Sequence, residues 1–470
     1  MSVKEEEDDH EHSRCSESPR SLSSLSDEKG ALSDDVEEDE KTKRILAACE
    51  TRNIGELQEL AMSKGGFLSD ANRALAWPIL LGAIDSWGST DLDGKAAADP
   101  VPGAEGEAEE EDWRNLPPHR DEAQVKLDVD RSFVYYPNDN SPTELDAKKA
   151  ELSDLITEVL RRQPHLCYFQ GYHDICQVFL LVLPADDGGN GPSAATSAST
   201  SSERRRQRQR QRALAVARLS ALRIRDFMLP SLGPAVAQLR LIPEVLGSAD
   251  PALAARLRHT ATEPYFALAD TLTMFAHNVR RLAAIARLFD ALLAREPAFA
   301  LYVFARLALD RSPDLVGDAR YRADPDMLHF ALSKLPQSPA LDLDRAVAGA
   351  ARLLADHPPH ALPAWRWRPW WLGGAAGGVL GGAGISRNSV LRTARDVERC
   401  AREQSLADGR RFFDAQLREL RRAERCDVLR RRYDTWPNRI AAVTVLVGVA
   451  AALYAQRTGP SGLGWGWVSG

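Results

Sequence analysis

Apolar residues along this chain recur at helical spacing, and runs alternating apolar with polar residues, as strands do, are almost absent. In TELDAKKAELSDLITEVL, Leu145, Leu152, Ile156, Val159 and Leu160 fall on one helical stripe. The stretch SDANRALAWPILLGA opens with Ser69 and Asp70, types that cap helix N-termini, and sets Arg73 and Trp77 one turn apart on a shared face. Residues 264–294 and 298–309 read as further apolar helices. The pattern predicts an all-α globular region over about 45–358.

Three stretches interrupt it. Residues 1–44 are acidic, serine-rich and poor in apolar side chains, a composition that cannot offset its ordering entropy and predicts a disordered tail. Residues 94–112 are acidic and rich in Ala, Gly and Pro, and residues 184–212 pass from Gly, Ser and Ala into RRRQRQRQR; both read as low-complexity insertions in the globular region. The arginine run suits acidic lipid or RNA, but a solvated loop or helix start is the simpler reading. The net charge of −7 combines an acidic front with an arginine-rich last third, so charge has to be read segment by segment.

Beyond residue 358 the composition changes again. Residues 359–388 carry four tryptophans ahead of a Gly/Ala run, which suits either a membrane interface or a packed, variable loop. The second is favoured, because glycine this dense weakens any helix. Residues 389–438 read as a polar, arginine-rich helical connector. The run IAAVTVLVGVAAALYA (440–455) bears no charge. As a helix it spans about 24 Å, slightly short of the roughly 27 Å core of a thin bilayer, and Arg439 and Arg457 can snorkel to close the gap. We expect a tail anchor over 439–457, followed by a short tail over 458–470; a buried core helix is the competing reading. The arginines at 430–432 place the main body on the cytosolic side. The opening stretch MSVKEEEDDHEH lacks the apolar core of a signal peptide. Six scattered cysteines, at 15, 49, 167, 176, 400 and 426, form no CxxC pair or Cys/His cluster, so a reducing compartment is expected and neither disulfides nor a zinc site.

Two short motifs carry candidate chemistry. VKLDVDRSF sets Asp128 three residues before Arg131, and CYFQGYHDI sets Gln170 before Gly171 with Asp174 four residues on. Alone, each fits a plain ion pair or a buried polar residue. Together, and in this order, they resemble the IxxDxxR and YxQGxxD motifs of the TBC domain family of Rab GTPase-activating proteins. They read Val125-x-x-Asp128-x-x-Arg131 and Tyr168-x-Gln170-Gly171-x-x-Asp174, with valine for isoleucine the one departure. GGFLSDANRALAWPILLG, with Arg73, Trp77, Leu80, Leu81 and Gly82, is similar to the family's N-terminal helix, and PYFALADTLTMFAHN to a later aromatic-rich segment near the GTPase. Met274 stands where the family often has tryptophan. The resemblance covers about 65–358. With the apolar C-terminal run it points to the family's endoplasmic-reticulum-anchored member.

The resemblance implies a two-lobed helical domain that binds a Rab-family GTPase in its GTP state and completes that partner's active site. Arg131 would be the arginine finger and Gln170 the glutamine finger. Asp128 would orient Arg131, Gly171 would permit close backbone approach, and Tyr168 and Asp174 would shape the glutamine segment. An arginine suits the task because its planar fork stays charged and bonds phosphate oxygens as negative charge develops. The chain has no P-loop, HExxH or GxSxG pattern, so no independent catalytic site, cofactor or metal of its own is expected; GTP and Mg2+ would arrive with the Rab. No nucleic-acid partner is expected. The implied location is endoplasmic reticulum or early secretory membrane with the domain cytosolic. The alternatives are a non-catalytic Rab-binding scaffold and a membrane-tethering protein, although a pure scaffold needs neither Arg131 nor Gln170.

Overall fold

The computed structural model describes residues 22–84, 112–137, 141–185, 198–258, 263–338, 341–366 and 384–433, and every regular element among them is helical. The chain is helical from α1 (Leu22–Glu50) onward, where composition predicts a disordered tail up to residue 44. The reason lies at the far end of α1. Ile45 and Ala48 are buried there against α2 (Ile54–Met62) and α3 (Asp70–Leu81), and a helix docked at one end extends readily through residues such as Glu, Lys and Leu.

Ser69 caps α3 as its sequence predicts, accepting from the Asn72 N–H at 3.2 Å. The helix ends at Gly82, whose φ is +68° and whose missing Cβ leaves room for the carbonyl oxygen of Ala401. Next come α4 (Glu122–Asp130), α5 (Pro142–Arg162), α6 (Tyr172–Val182) and α7 (Ala198–Arg218). Helix α5 opens on a capping box between Ser141 and Glu144. The arginine run lies on the exposed half of α7; burial begins at Arg212, which donates to the Leu183 carbonyl and to Glu151. The expected insertion over 94–112 lies outside the described residues except for its last position.

A second group follows: α8 (Gly233–Leu239), α9 (Leu241–Ala249), α10 (Pro251–Arg258), α11 (Leu268–Leu272), α12 (Leu282–Ala294), α13 (Phe299–Asp310), α14 (Ser312–Gly317), α15 (Ala319–Ala323), α16 (Pro325–Ser333) and α17 (Leu343–Asp356). The stretch 264–294 is thus not one helix. The Thr271 and Thr273 hydroxyls bond back to the Ala267 and Ala269 carbonyls, and Met274 and Phe275 turn into the left-handed region at φ +51° and +68°. The Phe275 N–H then closes on the Asp270 carbonyl at 2.6 Å. A compact turn over 273–279 results, and it forms one wall of the cleft described below.

Helix α12 joins the two groups, packing on α2, α3 and α6 on one side and on α17 on the other. Its Phe289 meets Trp77 and Phe179 with ring centroids 5.8 and 6.0 Å away. Beside this trio lies Asp290, fully buried. It accepts from Arg73 Nε at 3.1 Å, Trp77 Nε1 at 2.8 Å and the Phe67 backbone N–H at 3.0 Å. The shared face of Arg73 and Trp77 therefore addresses one carboxylate.

The expected connector over 389–438 is not a separate arm in its described part. Helices α18 (Val390–Thr393), α19 (Val397–Glu403) and the start of α20 (Leu406–Tyr433) bury Val390, Leu391, Cys400 and Phe413. Buried Asp226 accepts from Gln238 Nε2, the Val390 N–H and Gln416 Nε2, at 2.7, 3.1 and 2.8 Å. Neighbouring Arg225 is fully buried; it donates to Gln416 Oε1 and the Asn388 carbonyl, and desolvation brings its pKa down to about 10. A composition dominated by arginine hides this, because several of the arginines and their neighbours end on carbonyls and carboxylates of the core. Trp365 is likewise buried, with the Arg392 guanidinium 4.5 Å over its ring, so the described edge of the Trp-rich stretch is packed. The expected anchor over 439–457 lies outside the described residues, and among those described no helix is long and apolar enough to cross a membrane.

Asp290→Ala should strip Arg73, Trp77 and Phe67 of one shared acceptor, leaving a buried uncompensated cation, and cost about 3–5 kcal/mol in urea unfolding. Asp344→Asn, which removes charge from a half-exposed partner of Arg287, should cost under about 1 kcal/mol. Equal effects from the two would refute this assignment.

Candidate functional site

The two motifs meet at an open cleft of about 780 Å³, lined by Arg131, Tyr135, Gln170, Leu232, Tyr265 and His277 among others. Its three walls come from distant parts of the sequence: the end of α4, the turn between α5 and α6, and the turn over 273–279.

Arg131 terminates α4. Its neighbour one turn back, Asp128, is fully buried, while the Arg131 side chain is 55% exposed. Asp128 is therefore a fixed anchor from which the guanidinium reaches outward. Its Oδ1 accepts from Arg131 Nη2 at 2.5 Å and from Gln124 Nε2 at 3.0 Å, and its Oδ2 accepts from the Tyr168 hydroxyl at 2.7 Å. This is not the surface ion pair that a three-residue spacing alone suggests. Burial and the bond to Asp128 hold the Tyr168 phenol well above its ordinary pKa, so it stays a donor. The chain leaves α4 through Phe133, at φ +63°, whose N–H is caught by Gln177 Oε1 of α6 at 3.1 Å.

Gln170 lies just before α6, in the turn that delivers the chain to that helix, and its side chain is exposed with no hydrogen bond among the described residues. Its position is set by the backbone around it. The Tyr168 N–H bonds Asp121 Oδ2 at 2.9 Å, and the Tyr172 N–H bonds the Phe169 carbonyl at 3.1 Å. Gly171 follows at φ +103°, and a Cβ there would lie 2.7 Å from Thr273 Cγ2. Both the backbone conformation and the space require glycine.

Asp174, in the first turn of α6, accepts from His277 Nδ1 at 2.9 Å and lies 3.3 Å from His173 Nε2. His173 is buried among Asp174, Asp128 and Tyr168, with its Nδ1 3.2 Å from the Tyr168 oxygen. Desolvation pulls its pKa below the usual imidazole range, whereas the bond to Asp174 lifts that of His277 above it. Met274 faces inward rather than into the cleft, beside a small apolar cavity of about 30 Å³ that Leu219 and Phe227 also line. Among the described residues no cluster of His, Cys, Asp or Glu has the makings of a metal site.

The arrangement presents one exposed cation and one amide unengaged among the described residues, both lining one cleft, to whatever enters it. The description of the Rab-GTPase-TBC domain matches residues 70–315, just over half of the chain. The chain belongs to this family. It is 29% identical over 342 residues to GTPase-activating protein gyp10 of Schizosaccharomyces pombe, covering 71% of this chain and 79% of that one. It is 29% identical over 312 residues to human TBC1 domain family member 20, covering 66% of this chain and 65% of that protein, slightly under two thirds of its length. GTPase-activating protein GYP8 of Saccharomyces cerevisiae is 26% identical over 323 residues, 65% of this chain and 59% of that one.

The structure brings together the six candidate site residues of the two motifs: Arg131, Gln170, Gly171 and Asp174 line the cleft, and Asp128 and Tyr168 lie directly behind it. His173, Gln177, Asp121 and His277 also shape the site without having been singled out in the sequence. His173 and Gln177 carried a signal: both are polar residues inside the apolar helix YHDICQVFLLV. Asp121 carried none, since only the fold brings it near; His277 fell inside the aromatic-rich segment over 264–278 but nothing set it apart from its neighbours there.

Gly171→Ala should cost about 1–3 kcal/mol from the strained φ alone, read as a lowered thermal midpoint. Adding Thr273→Ser, which removes the methyl but keeps the hydroxyl bond to Ala269, should recover part of that loss. No recovery would mean that Thr273 is not what the new Cβ meets.

Proposed function

We propose that this chain accelerates GTP hydrolysis on a Rab-type GTPase by lending it Arg131 and Gln170, the nucleotide and Mg2+ arriving with the partner. One observation supports the roles of these residues above all. Two side chains from separate elements of the chain share one cleft, both exposed, each on a base that is not.

The chemistry follows from that geometry. Hydrolysis passes through a loose transition state with charge spread over the transferred phosphoryl oxygens. Arg131 has one guanidinium nitrogen, Nη2, held by buried Asp128 while its side chain is more than half exposed, so the rest of its fork can turn to meet that charge as it develops. Gln170 has neither amide group engaged among the described residues, so its oxygen can accept from the attacking water while its NH2 donates to a phosphate oxygen. Rigid bases keep the cost of ordering low when the partner docks. Exposed Val134, Tyr135, Leu232 and Tyr265 give the docked GTPase an apolar rim.

Arg131→Ala should lower kcat/KM on a responsive Rab at least about 1,000-fold, the low end for loss of an arginine finger, a loss far larger than the lower melting temperature from leaving buried Asp128 without its cation accounts for. Arg131→Lys should fare almost as badly, lacking the fork. Gln170→Ala should cost at least about tenfold, near 1.4 kcal/mol of barrier. A Rab without its own switch glutamine should still respond to the wild-type chain. A single-turnover assay over a panel of Rabs decides the matter: normal rates with Arg131→Ala would remove it from the reaction.

We further propose that residues 439–457 anchor the chain in a membrane of the early secretory pathway, with the TBC domain on the cytosolic side. The support is the uncharged run 440–455 flanked by arginines, together with the resemblance to the family's anchored member. Sharing a surface with a lipidated Rab would raise encounter frequency without any new contact. A chain ending at residue 435 should leave the membrane fraction and keep its rate on soluble Rab. Release of the full chain by alkaline wash, with an unstable truncation, would mark the run as core instead.

A further inference from the structure

The exposed Gln170 has no side-chain hydrogen bond among the described residues, so whatever holds its turn governs where its amide points. Two holds come from the same place. The methyl of Thr273 packs where a Cβ of Gly171 would be, and one helical turn later His277 Nδ1 donates to Asp174 Oδ2 at 2.9 Å. The His277 backbone N–H in turn bonds Thr273 Oγ1 at 3.3 Å, so methyl and imidazole belong to one brace. The brace is itself stiff. Asn278 Nδ2 donates to buried Asp270 at 2.7 Å and Gln337 Nε2 donates to Asn278 Oδ1 at 2.7 Å. From Asp174 the contacts run on through His173 and Tyr168 to Asp128 and Arg131. His277 is thus the outer end of a polar chain that spans all three walls of the cleft.

We propose that His277 is a positioning residue for the glutamine turn, holding Asp174, and through it the start of α6, in the register that aims Gln170. This rests on the reading of Gln170 as the group that meets the attacking water. Asp174 accepts, so His277 Nδ1 carries a proton whether the ring is neutral or charged. The other charged or titratable groups facing it are Asp270, Lys334 and, across Asp174, His173. The residue fits this role better than a bare surface position does, because its ring nitrogen engages a first-turn carboxylate of α6 while its edge lines the cleft.

The test uses the full chain and a Rab that responds to it, in single-turnover hydrolysis with the activator titrated to saturation. His277→Ala should lower the saturating rate about tenfold, the worth of one charge-assisted hydrogen bond. The half-saturating concentration and the melting temperature should barely move. His277→Asn, whose amide NH2 can occupy the place of Nδ1–H, should recover most of that loss, and Asp174→Asn combined with His277→Ala should cost little more than either change alone. An unchanged rate with a raised half-saturating concentration would make His277 a Rab contact instead, and Asn no better than Ala would show that the bond to Asp174 is not what counts. Gln170→Ala is the control. If it is impaired and His277→Ala is not, this proposal alone falls; if Gln170→Ala is unimpaired, the glutamine reading falls and takes the proposal with it.

Discussion

The fold hangs on a carboxylate with no access to water. Asp290 collects a guanidinium, an indole and a backbone amide from α3 and the loop before it, from the opposite end of the domain's sequence. A buried unpaired charge is costly enough that this arrangement is close to all-or-none, so it fixes the rotation and height of α12 against α3 at once. Helix α12 touches α6 on that side and α17 on the other. The direction in which α6 points, and with it the turn bearing Gln170, is inherited from this pair. Gly66 shows how little slack there is: a Cβ there would run into Asp290 Oδ2.

The same device recurs at each junction. Asp226 gathers Gln238, Ser389, Val390 and Gln416, tying the C-terminal helices to the middle of the chain. Asp128 gathers Gln124, Arg131 and Tyr168, tying the two motif segments together. The difference between Asp128 and the other two is functional. At Asp290 and Asp226 every partner is buried, whereas at Asp128 one partner, Arg131, is more than half in water. A structural carboxylate thus becomes a pivot. It holds one guanidinium nitrogen of Arg131 and leaves the rest of the side chain in water, which suits the proposed role, in which the strongest contact is made with a partner's transition state.

Much of this was legible in the sequence, and the reasons differ by level. Helical periodicity survives because each helix buries one stripe, so the all-helical architecture and helices such as α3 and α5 could be read directly. Arg131, Gln170 and their neighbours could be singled out only because two motifs together resemble the family's; alone, their spacing fits a plain ion pair and a buried polar residue. What composition concealed was polar burial. Residues 389–438 read as a polar helical connector because they are rich in arginine, yet Arg392 meets the Trp365 carbonyl and ring face and Arg225 meets the Asn388 carbonyl just ahead of them. The break after Leu272 was invisible for a similar reason. No glycine or proline marks it, and the turn is made by threonine hydroxyls and two non-glycine residues at positive φ.

That break is where the local and global requirements part company. Residues 264–294 have the apolar content of one long helix, and propensity alone would keep it straight. A straight helix would carry Thr273 and His277 along one rod and could not fold them back as a wall against the start of α6. The chain instead accepts left-handed conformations at Met274 and Phe275, each costing of order 1–3 kcal/mol, and leaves one oxygen of buried Asp270 without a partner among the described residues. Burial pushes the Asp270 pKa up to about 7, so near neutral pH that carboxyl spends much of its time uncharged and its orphaned oxygen is tolerable. Strain and a desolvated acid are concentrated in the one segment that abuts the glutamine turn, and Phe275 and Asn278 beside them are buried and bonded. Local cost held in place by well-packed surroundings is what a rigid wall for the turn bearing Gln170 requires; a loop free to relax would save that energy and lose the register of Gln170.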